Sequence, residues 1–311
     1  MEYITLKNSD LKVSRLCMGG CPMGGYGWGK TEEKDFISAI HAAVDCGINF
    51  FDTADTYGLG QSEITLAKGL GANRSKVIIE SKFGVKAGKG KTVYDNSPTY
   101  IRQALDATLK RLNTTWVDIY TIHYRDGITP ISEVVDTLLD LKKDGKIRYF
   151  GLSNIKANEI PELVYYKDSF VNVQDEFSLA CRTNESALVG AAKTLGITPM
   201  TWGSLGQGIL TGKYDKNCHF DADDRRSREI YVNFHGKKLE QNLVIVDCLK
   251  KIAHAHQKSV SSCAIRFILD YLPDSVVLTG IKNANQIMLN AESFGWHLTE
   301  EEINRLNELS I

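Results

Sequence analysis

Short apolar runs rich in β-branched and aromatic residues return along this chain, separated by amphipathic stretches with helical spacing, and that alternation restricts the fold more than any other feature. Arg15-Leu16-Cys17-Met18, Ile48-Asn49-Phe50-Phe51, Val77-Ile78-Ile79, Val117 to Ile122, Tyr149-Phe150-Gly151-Leu152, Val171-Asn172-Val173, Ile197 to Trp202 and Val276-Val277-Leu278 read as buried strands. Between them, Asp35 to Cys46, Thr99 to Leu112, Ile131 to Asp144, Asn184 to Leu195, Leu239 to His256 and Ser261 to Tyr271 carry their apolar residues on one helical face. Gly47, Gly145 and Gly196 stand where three of these helices stop. Strands joined through helices pair in parallel. With every strand apolar, the pattern predicts an α/β fold, a closed (β/α)₈ TIM barrel, with residues 1–311 as a single barrel domain. Tyr3-Ile4-Thr5-Leu6 and Leu11-Lys12-Val13 flank Asn8-Ser9-Asp10 and predict an N-terminal β-hairpin able to plug the barrel floor; extra helical segments are expected at the C-terminus. The polar stretch Gly206 to Phe234 reads as an excursion from the barrel. An open doubly wound sheet would carry GxGxxG after its first strand, a pattern that Gly19-Gly20 and Gly24-Gly25 do not make.

Charge and composition remove several classes of function. A formal net charge of -1 gives no basis for a nucleic-acid or anionic-membrane partner. No apolar run approaches the roughly 18 residues of a membrane helix. Met1-Glu2-Tyr3-Ile4 does not open a basic region followed by an apolar one, so a cytoplasmic protein is expected. The seven cysteines are scattered without a CxxC pair, which reads as reduced thiols and not as a disulfide framework or a zinc site.

In a barrel of this kind, chemistry takes place at the C-terminal ends of the strands. Asp52, Lys82, His123, Ser153, Asn154 and Gln174 all end predicted strands, and Tyr57 lies in the loop just beyond Asp52. An unpaired charge at an apolar mouth is costly, so Lys82 and Asp52 should pair. The ammonium then lies beside the phenol of Tyr57, where it favours the phenolate and lowers a pKa that starts near about 10. Such a phenol can give or take a proton at a carbonyl oxygen that His123 orients. No nucleophile or metal set accompanies these residues, and a hydride donor, a nicotinamide cofactor, completes the chemistry. Taken singly, the same residues are a structural ion pair, a packed histidine and a loop anchor; their joint placement at neighbouring strand ends is what points to a site.

These residues lie in segments that resemble the aldo-keto reductase family over nearly the whole chain. Phe51-Asp52-Thr53-Ala54-Asp55-Thr56-Tyr57-Gly58 followed by Ser62-Glu63, Ser81-Lys82-Phe83-Gly84, Asp118-Ile119-Tyr120-Thr121-Ile122-His123 and Gly145 to Asn154 are similar, in that order, to the family's motifs. The resemblance implies an oxidoreductase acting on CH–OH donors with NADP as acceptor, NAD being possible. It implies a tetrad of Asp52, Tyr57, Lys82 and His123, with Tyr57 as general acid/base. Ser153, Asn154 and Gln174 are implied to hold the nicotinamide carboxamide, and Phe177 to stack on its ring. Trp202 to Tyr214 resembles the loop that covers the pyrophosphate, which implies contacts from Leu205, Gln207, Gly208 and Lys213; here Gly203-Ser204 replaces the common Ser-Pro pair. Thr279 to Asn290 resembles the adenosine site, implying Gly280, Gln286 and Asn290 near adenosine and Lys282 near a 2′-phosphate. Asn283 stands where some NADP-preferring relatives carry Arg.

Tyr26, Trp28, Tyr94 and Tyr124 fall in the loops that bind substrate in the family, and their rings would suit a sugar or polyol. The expected partner is a small-molecule carbonyl or alcohol. Two other functions remain open at this point: a cofactor-binding regulatory subunit with little turnover, and a metal-dependent barrel hydrolase. The second would need several His and carboxylate ligands at strand ends, where His123 is the one histidine found.

Overall fold

The computed structural model describes residues 1–87 and 92–311. Eight parallel strands close into a barrel: β3 (Leu16–Gly19), β4 (Phe50–Asp52), β5 (Ile78–Phe83), β8 (Val117–Ile122), β9 (Ile147–Ser153), β10 (Phe170–Glu176), β11 (Thr198–Trp202) and β12 (Val276–Gly280), the last pairing back onto the first. Each agrees with an apolar run read above to within a few residues. An antiparallel hairpin, β1 (Tyr3–Thr5) and β2 (Lys12–Ser14), precedes them. Leu6, Leu11 and Val13 from this hairpin join Cys17, Phe50, Ile78, Ile119, Val171, Met200 and Val276 in an apolar cluster that fills the barrel floor. A second, larger cluster lies between the outer faces of the strands and the surrounding helices. The closed floor leaves the opposite end as the place where polar groups can gather.

The helices on the outside are α1 (Glu33–Asp45), α2 (Gln61–Leu70), α3 (Pro98–Arg111), α4 (Ile131–Lys143), the short α5 (Ile160–Leu163), α6 (Glu185–Leu195), α7 (Gly236–His256), α8 (Val260–Tyr271), α9 (Ala284–Ala291) and α10 (Glu300–Ser310). Gly47, Gly145 and Gly196 follow the ends of α1, α4 and α6 with φ of 84°, 73° and 66°, the left-handed conformation that stops a helix and favours glycine. Helix α2 was not evident from periodicity because its buried face carries Ser62, Glu63 and Thr65. Ser62 and Glu63 are satisfied by tertiary partners and Thr65 by Gln61 of the same helix: Ser62 Oγ donates to Gly20 O at 2.8 Å, and Glu63 accepts from Ser81 Oγ at 2.7 Å and from Arg111 at 2.5 Å. A small hairpin, β6 (Val85–Ala87) and β7 (Thr92–Tyr94), extends the loop after β5. None of the described helices is long and apolar enough to cross a membrane.

Candidate active site

Alternation along the strands decides which residues reach the mouth. On β5, Ile78, Glu80 and Lys82 face inward, while Ile79 and Phe83 join the outer core and Ser81 bonds to α2. On β8, Ile119 and Thr121 lie on the inner face, and His123 follows at the strand end with its N–H bonded to Phe83 O at 2.9 Å. Tyr57 comes from a tight turn between β4 and α2. Its amide donates to Ala54 O at 3.2 Å, and Gly58, at φ 60°, lets the turn lie against Gly24 with no room for a side chain. These elements bring Asp52, Tyr57, Lys82 and His123 together in one cleft of about 1180 Å³.

Lys82 Nζ forms a buried ion pair with Asp52, both side chains being 2% exposed, and also donates to Thr53 O at 3.0 Å. It lies 3.5 Å from the Tyr57 hydroxyl, the outer limit of a hydrogen bond, and 5.1 Å from the ring centroid. Gln174 Nε2 donates to the same Asp52 oxygen at 3.2 Å. Burial opposes the charge on Lys82, but its acidic surroundings, Asp52 first, outweigh that and hold the ammonium protonated. Burial likewise pushes the Asp52 carboxyl up, against the pull of Lys82. The phenol differs from expectation: burial of the whole ring outweighs Lys82, and Tyr57 is moved up, not down. In this structure Tyr57 is therefore a protonated donor. His123 stands edge-on to Tyr57 with centroids 5.8 Å apart, and burial, with Lys82 as second cause, holds its imidazole well below the usual range and neutral. Its Nδ1 is buried without a hydrogen-bond partner among the described residues.

The remaining expected residues divide. Ser153, Asn154, Gln174, Leu205, Gln207, Gly208, Lys213, Gly280, Lys282, Gln286 and Asn290 all line the cleft. Asn154, at φ 56°, turns its Nδ2 to His123 O at 3.0 Å, which ties the ends of β8 and β9 together. Gly206, Gln207 and Gly208 follow one another at φ 55°, 55° and 106°, a left-handed run that forms a concave stretch of backbone. The Lys282 ammonium donates to Trp28 O, Gln286 accepts from Lys282 N at 2.9 Å, and Asn290 Nδ2 lies 3.4 Å from Thr279 Oγ1. Phe177 does not line the cleft. Its ring is 0% exposed, stacked on Tyr271 at 6.0 Å with Arg182 5.0 Å above it, so it has no free face to offer a cofactor. Trp202, the last residue of β11, lines the cleft instead, and its buried Nε1 has no partner among the described residues. The sequence reading did not single it out, although its place at the end of an apolar run is a signal that could have found it. Of the aromatic loop residues, Trp28 and Tyr124 line the cleft. Tyr26 is 61% exposed on the outer rim beneath Arg225, and Tyr94 packs on Tyr124 from outside at 5.2 Å, so neither belongs to the cleft wall.

The sequence reading missed the far wall of the cleft, which the excursion after β11 forms by folding back onto the loop after β3. Arg225 N donates to Gly27 O at 3.0 Å, its guanidinium lies 5.0 Å over Trp28, and Arg226 pairs with Asp224 at 2.6 Å. No sequence signal joins segments so far apart. Among the described residues there is no group of three or more His, Cys, Asp or Glu arranged to hold a metal.

Known proteins resemble this chain in sequence and fold. A sequence model of the Aldo/keto reductase family matches residues 15–311. The chain is 31% identical over 312 residues to the aldo-keto reductase YhdN of Bacillus subtilis, covering 99% of this chain and 93% of that one. It is 28% identical to the NADH-specific methylglyoxal reductase of Escherichia coli, over 100% and 98% of the two chains. Among solved structures, the glycerol dehydrogenase AKR11B4 of Gluconobacter oxydans superposes with a TM-score of 0.88 at 31% identity, over 99% of this chain and 94% of that one. Together with the closed barrel, these matches show that the chain belongs to the aldo-keto reductases, a family of nicotinamide-dependent oxidoreductases.

Proposed function

We propose that this protein reduces a small polar aldehyde or ketone, or oxidises the corresponding alcohol, by hydride transfer with NADP, and that Tyr57 is the general acid/base. The observation that carries this reading is the protonated, buried phenol of Tyr57 lying 3.5 Å from the Lys82 ammonium at the base of a long cleft. The residues along that cleft suit a dinucleotide. Amide and hydroxyl groups of Ser153, Asn154 and Gln174 adjoin the tetrad, the flat ring of Trp202 stands beside them with an unpartnered N–H, and the left-handed run Gly206 to Gly208 forms a hollow suited to phosphate. Lys213, Lys282 and Arg226 supply positive charge in the same cleft. The Lys282 ammonium, half-buried and pushed down to about 8 by burial and then by Arg226, would gain most from a second phosphate, which favours NADP over NAD.

A bound nicotinamide supplies the hydride that goes to the carbonyl carbon. Tyr57 gives its hydroxyl proton to the carbonyl oxygen, and the phenolate left behind is stabilised by the neighbouring ammonium until solvent returns the proton. Asp52 and Thr53 O hold Lys82 in place for that task. Neutral His123 offers a ring nitrogen to orient the carbonyl, and Trp28 and Tyr124 line the substrate side. The methylglyoxal reductase and glycerol dehydrogenase relatives support a small carbonyl or polyol as substrate. The family match over residues 15–311 supports reading the chain as one barrel domain, and we take the enzyme to be cytoplasmic. NADPH oxidation with a panel of small aldehydes, ketones and sugars tests the reading. Tyr57→Phe should lower kcat by about 10²–10⁴-fold with the cofactor Kd unchanged; a near-normal rate in that variant would refute the assignment.

A further inference from the structure

Glu80 is an ionisable residue of the barrel interior that the chemistry above leaves unused. It lies two residues below Lys82 on the inner face of β5, in register with Asp52 on β4, and is 0% exposed. Among the described residues its carboxylate is bonded only to neutral groups. Thr121 Oγ1 of β8 lies at 2.5 Å, and Asn172 Nδ2 of β10 lies 3.2 and 3.1 Å from its two oxygens while also reaching Met200 Sδ of β11 at 2.8 Å. The titratable and charged groups that bear on it are Asp52, Lys82 and the buried thiol of Cys17 on β3. Two carboxyls and one ammonium thus share an interior closed beneath by the apolar floor, and Lys82 is already committed to Asp52. A dry interior does not hold an uncompensated charge cheaply, and a proton is the simplest way to remove it.

We propose that Glu80 is a positioning residue for the reaction, acting through Lys82, and that its charge state sets how readily Tyr57 releases its proton. The proposal rests on the reading of Tyr57 as proton donor. Burial first, and the negative charge of Asp52 second, push the Glu80 carboxyl up to about 7. When Glu80 is protonated, Asp52 alone offsets the ammonium, and the positive field at the phenol is strongest. When Glu80 is ionised, a second negative charge lies beneath the ammonium, and the phenolate that proton donation creates is harder to form. Carbonyl reduction therefore slows as pH rises through about 7, by a factor on the order of ten for a unit charge at this range inside a protein. Asp55, also pushed up to about 7 by burial and then by Glu63, and bonded to Tyr100 at 3.2 Å, is the competing source of such a change.

Two measurements test this. The first is the pH profile of kcat for reduction, from about pH 5 to about pH 9, in the unmodified protein and in Glu80→Gln. Glutamine keeps the shape and an acceptor for Thr121 but cannot ionise. The neutral-range decline should be present in the unmodified protein and absent in the variant. The second is an infrared difference titration, unmodified protein minus Glu80→Gln without substrate, which follows the C=O stretch of a protonated buried carboxyl and needs no turnover. The band should disappear as pH rises through the neutral range. If Glu80→Gln folds poorly, Thr121→Val removes a hydroxyl that favours the ionised form and should shift the decline to higher pH. The same decline persisting in Glu80→Gln, or no protonated-carboxyl band at acidic pH, would overturn the proposal. Failure of the Tyr57 assignment would show separately, as activity retained in Tyr57→Phe, and would leave the infrared titration untouched.

Discussion

Replacing Lys82 by Met would measure how tightly the ion pair of the site is held, because the unbranched thioether fills similar space without the charge. Lys82 and Asp52 are each 2% exposed, and Lys82 Nζ contacts Asp52, Thr53 O and the Tyr57 hydroxyl. Without the ammonium, Asp52 keeps Gln174 Nε2 at 3.2 Å as its side-chain donor. Removing one partner of a buried pair costs about 3–5 kcal/mol, since the other charge stays behind unpaired. At roughly 2 °C per kcal/mol for a chain of this size, Tm should fall by about 6–10 °C. The loss should depend on pH with a definite sign. Burial already pushes the Asp52 carboxyl up, and without Lys82 its folded-state pKa lies further above the unfolded value near about 3.9. A carboxyl raised in this way costs stability progressively as pH rises from its unfolded value to its folded pKa, the full cost standing above the folded pKa and none below the unfolded value. The deficit should therefore be largest in alkaline buffer and shrink in acid. Urea denaturation of the unmodified protein, Lys82→Met and the double variant Asp52→Asn with Lys82→Met, each in mildly acidic and mildly alkaline buffer, reads all of this. The double variant should recover most of the alkaline deficit. Equal deficits in both buffers, or a double variant no more stable than the single one, would refute the reasoning.

Gly58→Ala should destabilise the protein by about 2–4 kcal/mol, since a methyl group at φ 60° would be strained and would overlap the backbone of Gly24. Because Tyr57 precedes it in the same turn, kcat should fall as well, and an unaltered kcat together with unaltered urea denaturation would show that the turn is looser than described. Lys282→Ala should weaken NADPH binding about 10–100-fold through loss of a charge-assisted contact to phosphate. Binding of NADH should change little, and equal losses for both cofactors in fluorescence titrations would place Lys282 away from the 2′-phosphate.

Some features lay in the sequence because their cause is local. Val117 to Ile122 is read as a strand from its own residues, and β8 has those bounds. Asp52, Lys82 and His123 are found at the mouth because they end apolar runs, and a strand end is a local property. Helix α2 escaped detection because its buried Ser62 and Glu63 meet partners on β5, α3 and the loop after β3, and no periodicity within the helix records such partners. Phe177 follows a predicted strand and Trp202 ends one. Which of them faces the cleft depends on how Tyr271 and Arg182, from other parts of the chain, enclose the first and leave the second open.

By itself the sequence determined the order of the barrel strands and of six of the helices around them, the capping glycines and the polar residues that end five of the predicted strands, since each follows from side chains within a few positions. Only the tertiary structure decided the closure of the cleft by Arg225 over Trp28, the isolation of Glu80 beneath the ion pair and the upward shift of the Tyr57 phenol. All three are matters of burial and of the balance between desolvation and charge. That balance is set by groups from several strands and loops meeting in one volume, and it has no counterpart in any single stretch of chain.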